Sequence, residues 1–214
     1  MSRTPNTYRG TPLPRGRHKL DPHTVKSSQR ERLLRAMLDS VDRRGYQATT
    51  VSEVVAAARV STNAFYEFFD DKLSCFIALC DEEARGLLDA ALQGADAPTW
   101  REALRRGVVG YLRWWQERPA FSRTYLLELP SAGAPAIEQR IRASQGFADL
   151  FNGLAQRARN EDPEVSEPPK LATELLLVGL TELVAREVRA GRLDRLTEIA
   201  PDVEELIAAL LAQR

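Results

Sequence analysis

The chain has 214 residues, 43% hydrophobic and 28% charged, with 30 Lys/Arg balanced by 30 Asp/Glu. That length and mix suit one large domain or two small ones sharing a core, and the longest apolar runs, such as 175–178, are far too short to span a bilayer. Zero net charge excludes a uniformly basic nucleic-acid coat, but it hides a split: residues 1–72 hold 13 Lys/Arg and 8 Asp/Glu, a net of +5, and residues 73–214 hold 17 and 22, a net of −5. A polyanion met by the amino-terminal end fits that asymmetry, as does ordinary solvated surface charge.

In chain order, residues 1–22 read as a flexible basic arm, with four prolines, two glycines and Arg3, Arg9, Arg15, Arg17 and Lys19. Its polar, arginine-bearing start has no secretory pattern. The rest reads as helical, because period-2 runs of β-branched and aromatic residues are absent. The first helix is expected from about Thr24 to Arg44, with Ser28 and Glu31 as a capping box or a start one turn earlier. Leu33, Leu34, Met37, Leu38 and Val41 form its apolar face, and Gly45 ends it.

A second helix starts at Thr50, whose hydroxyl caps it while Glu53 reaches back. Val51, Val54, Val55 and Ala58 supply its buried side. After a break at Arg59–Val60, a third helix runs from Ser61 or Thr62 to about Phe68, and a fourth from Lys72 to about Leu92. Helix five begins at the Thr99–Glu102 box and ends at Pro119. A short helix covers 120–129, a long one 136–159, and two more about 170–190 and 201–211. The fold class is therefore all-α, with about nine helices. Cys75 and Cys80 fall on different helix faces, so no bridge is expected between them, and a reducing cytoplasm is the natural compartment.

Two short helices joined by a tight turn, the second opening on small polar residues, describe a helix-turn-helix at 50–69. Ala56, Ala57 and Ala58 permit close helix approach, Val60 plugs the turn, and Phe65 and Phe69 anchor one side of helix three. The other side offers Ser61, Thr62, Asn63, Tyr66 and Glu67 to the exterior.

These residues resemble the tetracycline-repressor (TetR) family of regulators. The resemblance is carried by Gly45-Tyr46, Thr49-Thr50, Arg59-Val60-Ser61, Phe65-Tyr66-Glu67-Phe68-Phe69 and Lys72; beyond about Leu79 only helix order and length agree. It implies a DNA-binding head at 23–72 and a regulatory body at 73–214 that binds a small, usually apolar ligand and dimerises. The head would read a near-palindromic operator, as a repressor released by its ligand.

Carried over by position, Thr50 and Tyr66 look like phosphate contacts, with Thr49 and Lys72 as further ones. Ser61, Thr62, Asn63 and Ala64 look like the groove-facing start of the recognition helix. Asn63 is the best direct reader, since an amide pairs bidentately with adenine; a capping role is its alternative, packing against helix one is that of Tyr66, and a solvated helix-start charge that of Lys72. Two residues depart from the family. Arg59 replaces the turn glycine and is expected to hold a positive φ. Glu67 stands where members have non-acidic residues, where it would oppose phosphates yet could accept from a cytosine amino group. Arginines of the arm either enter the minor groove or belong to a free tail.

The body shows no catalytic constellation, phosphate loop or metal-ligand spacing; the two histidines, His18 and His23, precede it. No enzyme activity, cofactor or metal is expected. The expected partners are double-stranded DNA, a small apolar ligand and a second copy of the chain, with no membrane. Tyr111, Trp114, Trp115, Phe121, Tyr125, Phe147 and Phe151 are candidate pocket residues, with plain core as the alternative. Arg113, Arg123 and Glu128 are candidates for polar selectivity or for surface ion pairs. Leu175, Leu176, Gly179, Leu183, Leu206 and Leu210 are dimer-interface candidates on the last two helices, against a wholly intrachain core. The competing functions are a DNA-binding protein without an inducer and a helical enzyme acting on a small molecule.

Overall fold

The computed structural model describes residues 22–211, with side chains from Val25 onward. The basic arm and both of its readings therefore lie outside the described residues, apart from Pro22 at the start of the first helix. The described residues form nine α-helices and no strand: α1 (Pro22–Arg44), α2 (Val51–Ala58), α3 (Thr62–Tyr66), α4 (Lys72–Ala91), α5 (Trp100–Gln116), α6 (Pro119–Arg123), α7 (Ala134–Glu161), α8 (Ala172–Arg189) and α9 (Ala200–Leu211).

The apolar stripe of α1 is buried as its spacing predicts: Leu33, Leu34, Met37, Leu38 and Val41 all face inward. Its amino-terminal end differs from expectation. Ser28 and Glu31 sit inside a helix that begins at Pro22, so they cap nothing; the Ser28 carbonyl instead accepts from Arg32 Nε. Gly45 stops α1 with φ of +80°, as predicted, its N–H bonded to the Val41 carbonyl. Of the three alanines read as packing residues, only Ala58 is buried, and Ala56 and Ala57 face solvent.

The long α4 joins head to body and packs on α1, α5 and α7. Its close crossing with α5 needs glycine, because a Cβ at Gly110 would run into the Ala90 carbonyl. Pro119 does not end α5, which stops at Gln116; it opens α6 at the first turn, where its missing N–H costs nothing. The single helix expected over 120–129 is three pieces. After α6 comes a π-helical turn, Thr124–Glu128, closed by Leu129 N–H donating to the Thr124 carbonyl, and then a 3₁₀ turn, Leu129–Ala132. Cys75 and Cys80 are free and buried, and burial pushes the Cys75 thiol up to about 12 and raises Cys80 as well. Both thiols are thus inert packing groups.

Candidate nucleic-acid interface and body cavity

The helix-turn-helix is built from local rules that its sequence satisfies one by one. Thr50 caps α2: its Oγ1 accepts from Glu53 N–H at 3.3 Å, and Glu53 Oε2 accepts from Thr50 N–H at 3.1 Å. Arg44 pairs with the same Glu53. At the other end Arg59 is left-handed, φ 54° and ψ 47°, the one non-glycine with positive φ among the described residues. Its N–H bonds Ala56 O at 3.2 Å, and Val60 N–H bonds Val55 O at 3.1 Å, the two crossed bonds of a Schellman turn. Arg32 from α1 donates across it to the carbonyls of Ala58 (3.2 Å) and Arg59 (3.4 Å). The positive φ costs about 1 kcal/mol for a side chain with a Cβ, and these bonds hold it in place. Reading the turn glycine as replaced gave the conformation but not Arg32, which an arginine on the core-facing helix could have suggested.

Ser61 caps α3, accepting from Ala64 N–H at 3.1 Å. Phe65 is fully buried and Phe69 nearly so, their rings 5.5 Å apart, and this anchor turns the other face of α3 outward. Thr62, Asn63 and Glu67 are exposed, Ala64 half-buried, and Tyr66 keeps half its surface open while its ring edges onto Phe65. With Thr50 and Ser61, which are also exposed, the polar residues among these make up an outward row. Glu67 is not a bare charge, since Lys26 Nζ lies 3.5 Å from its carboxylate.

Two residues placed with this row lie elsewhere. Thr49 is buried, its hydroxyl donating to the Gly45 carbonyl at 2.9 Å, so it holds the α1–α2 turn and does not face outward. Lys72 is half-buried and donates to the carbonyls of Tyr46 and Thr49, both at 2.9 Å, with its ammonium 4.2 Å from the Tyr46 ring centre. It is neither a solvated helix-start charge nor a free cation, because two of its three N–H donors are spent on that turn.

The body contains a partly open cavity of about 320 Å³ between the end of α4, α5, α7, α8 and α9. Tyr111, Phe147 and Phe151 line it, with Leu104, Leu176 and Ile207 among its aliphatic walls. The other four aromatic candidates do not. Trp114, Trp115, Phe121 and Tyr125 pack on one another behind it, Trp115 stacked on Phe121 at 6.1 Å and perpendicular to Trp114 at 5.2 Å. Tyr111 joins the two groups, edge-on to Trp115 at 6.2 Å and to Phe147 at 5.9 Å. Burial raises the Tyr111 phenol above its usual range, so it stays neutral. The charged residues on the lining are Asp149 and Arg157, and Arg157 is held by Glu161 at 2.6 Å and by the Ala95 and Ala97 carbonyls. Arg113, Arg123 and Glu128 are not on the lining; Arg123 pairs with Asp42.

On α8 and α9, Leu175, Val178 and Leu206 are more than half exposed, as is Leu171 just before α8; Leu183 and Leu210 are half-buried, and Gly179 is open, with no atom within 4 Å of where a Cβ would be. Leu176 points the other way, into the core and cavity wall, and leaves the set of surface candidates. No cluster of metal-ligating side chains occurs among the described residues, and none of their helices is long and apolar enough to cross a membrane.

Residues 33–79 match the family model for bacterial regulatory proteins of the tetR family. Curated proteins give no match. Among solved structures, the fatty acid degradation regulator FadR of Bacillus halodurans is 20% identical, with a TM-score of 0.74 over 86% of this chain and 99% of its own. FadR of Bacillus subtilis, solved in complex with stearoyl-CoA, is 17% identical with the same TM-score, over 86% and 98%. A TetR-family regulator of Marinobacter aquaeolei is 22% identical, TM-score 0.68, over 90% and 100%. At these identities the likeness is one of fold.

Proposed function

We propose that this chain is a regulator of the TetR family, whose model matches residues 33–79, and that it is a ligand-responsive repressor that binds its operator as a dimer. Residues 1–22 are the arm, 23–72 the DNA-binding head and 73–214 the regulatory body. The observation that carries DNA binding is the outward row of Thr50, Ser61, Thr62, Asn63, Tyr66 and Glu67, braced from behind by Phe65 and Phe69. Thr50 and Tyr66 contact phosphates; Asn63 reads a base edge, adenine by preference, and Glu67 favours a cytosine amino group. The exposed leucines of α8 and α9 supply the second copy's contact and set the two heads one helical turn of DNA apart.

The ligand is small and largely apolar, as the cavity's walls require. A neighbour of the same fold binds a long acyl thioester, which makes acyl chains the first class to try. Binding must favour one head separation over another, since equal affinity for both shifts nothing.

Footprinting on the DNA around the protein's own gene tests the first half. A protected, near-palindromic site is expected, and Asn63→Ala should weaken it by about 1–3 kcal/mol and relax specificity at one position. Absence of any protected site would sink the repressor reading. A thermal-shift panel of saturated acyl-CoA thioesters, free fatty acids and apolar aromatics tests the second. At least one compound should both raise the melting point and remove protection; a panel with no effect on either refutes ligand control.

A further inference from the structure

The body cavity is long, and its charges are already balanced. Two of its walls, α5 and α7, run antiparallel. At one end Trp100 N–H donates to Glu161 Oε2 at 2.7 Å, and at the other Tyr111 meets Phe147 edge-on at 5.9 Å. Phe147 and Arg157 both line the cavity, and the ten residues of α7 from one to the other span about 15 Å of helix rise. At the roughly 1.2 Å per bond of an extended chain, that length takes about a dozen bonds in a row.

Three lining side chains are polar, Tyr111, Asp149 and Arg157; the rest are aliphatic residues, phenylalanines and glycines. The Tyr111 phenol is neutral, because burial raises it. Arg157 is the only cation on the lining among the described residues, and its charge is met. Its Nε donates to Glu161 Oε1 at 2.6 Å, and its Nη1 and Nη2 donate to the Ala95 and Ala97 carbonyls. The bond from Arg157, and then the Trp100 N–H, hold Glu161 below the usual carboxylate range, so at neutral pH it carries its full charge. Two of the five guanidinium N–H donors remain, one on each Nη. Asp149 is exposed and adds a negative charge to the lining.

A carboxylate brought into this space would compete with Glu161 for one guanidinium and leave a net negative charge against apolar walls. A charge without its own counter-charge is the costliest group to desolvate. The phosphates of a CoA thioester would stand outside, facing Asp149 and a body whose residues 73–214 carry a net of −5. An ester or ketone oxygen needs no counter-ion and can accept from the two remaining donors. We propose that the cavity selects an elongated, uncharged amphiphile, such as an ester or ketone about a dozen bonds long, over the free acid or CoA thioester of the same chain, with Glu161 and Asp149 as the residues that set this preference. This rests on the cavity being the ligand site, and it departs from the neighbour solved with stearoyl-CoA.

Calorimetric titration of the full chain at neutral pH, with methyl decanoate, decanoate and decanoyl-CoA each below its micellar concentration, tests it. The ester should bind about ten-fold or more tighter than either anion. Because the ester is also the more apolar probe, the variants decide. Glu161→Gln removes the balancing charge and should tighten decanoate about ten-fold while leaving the ester within about two-fold. Asp149→Lys, at an exposed helix position, should tighten both anions about five-fold and leave the ester unmoved; it decides alone if Glu161→Gln melts early. Either anion binding as tightly as the ester in the native chain, or variants that leave anion affinity unchanged, overturns the proposal while the cavity stays a ligand site. Binding of none of the three probes removes the cavity as the ligand site, and the proposal with it.

Discussion

The head and the body of this molecule are held together by interactions of different range. In the head, the helix caps join residues three apart, Thr50 with Glu53 and Ser61 with Ala64, and Arg32 and Lys72 add longer-range bonds to turn carbonyls. In the body, many bonds join residues far apart in sequence. Trp100 N–H donates to Glu161 Oε2 at 2.7 Å, Arg157 reaches the Ala97 carbonyl, and Thr197 N–H donates to Gln116 Oε1 at 3.1 Å. The head is small, capped at each end and packed on a fully buried phenylalanine, whereas the body contains a cavity. A part specified locally can be moved as a unit; a part with unused volume can change shape around something. The proposed roles of reader and sensor would draw on just this physical difference.

The largest expected effect removes the anchor of the reader. Phe65→Ala should cost about 3–5 kcal/mol in urea unfolding, because the ring is wholly enclosed. Phe147→Ala, on the half-buried cavity wall, should cost clearly less. Equal losses would erase the contrast between the two regions. Arg59→Gly should come next and run the other way, raising stability by about 1 kcal/mol by relieving the left-handed backbone. A net loss would mean that the Arg59 side chain supports the turn. Gly153→Ala should stabilise by about 0.5–1 kcal/mol, since this helix-interior glycine has open space where a Cβ would go. A destabilised variant would show the cavity rim to be as tightly packed as the head.

The smallest effect concerns acid. Glu161 is held below the usual carboxylate range, first by the hydrogen bond from Arg157 and then by the Trp100 N–H. A lowered folded value means that its contribution is complete above the unfolded value of 4.5 and is lost as pH falls through the lowered one. Glu161→Gln should therefore flatten the acid limb of the stability–pH curve, measured as urea midpoints. An unchanged limb would assign the acid sensitivity to other carboxylates.

Much of the head was legible because its rules are local. The start of α2 at Thr50, the cap at Ser61, the positive φ at Arg59 and the Phe65/Phe69 anchor all come from residue type and spacing within a few positions. Where reading failed, a distant partner or a one-residue step decided. Thr49 and Thr50 are neighbours, yet the α1–α2 turn sends one hydroxyl to the Gly45 carbonyl and the other to solvent. Leu175 and Leu176 are likewise neighbours on opposite sides of α8, one surface and one cavity wall. Lys72 looked like a helix-start charge because the carbonyls that hold it lie more than twenty residues upstream.

By itself, the sequence determined the helical class, the number and order of helices, and the geometry of the reading head. Capping, glycine stops and apolar periodicity act between residues close along the chain, and their energies do not depend on what lies elsewhere. Only the tertiary structure decided which aromatics line the cavity and which pack behind it, that a π turn breaks the short helix, and that Glu128 reaches the Tyr46 amide. Those outcomes depend on how separate helices settle against one another, where a ring four residues along can face either a neighbour or a void. The family resemblance reached the head by motif and the body only by helix order. That boundary falls where local specification gives way to packing.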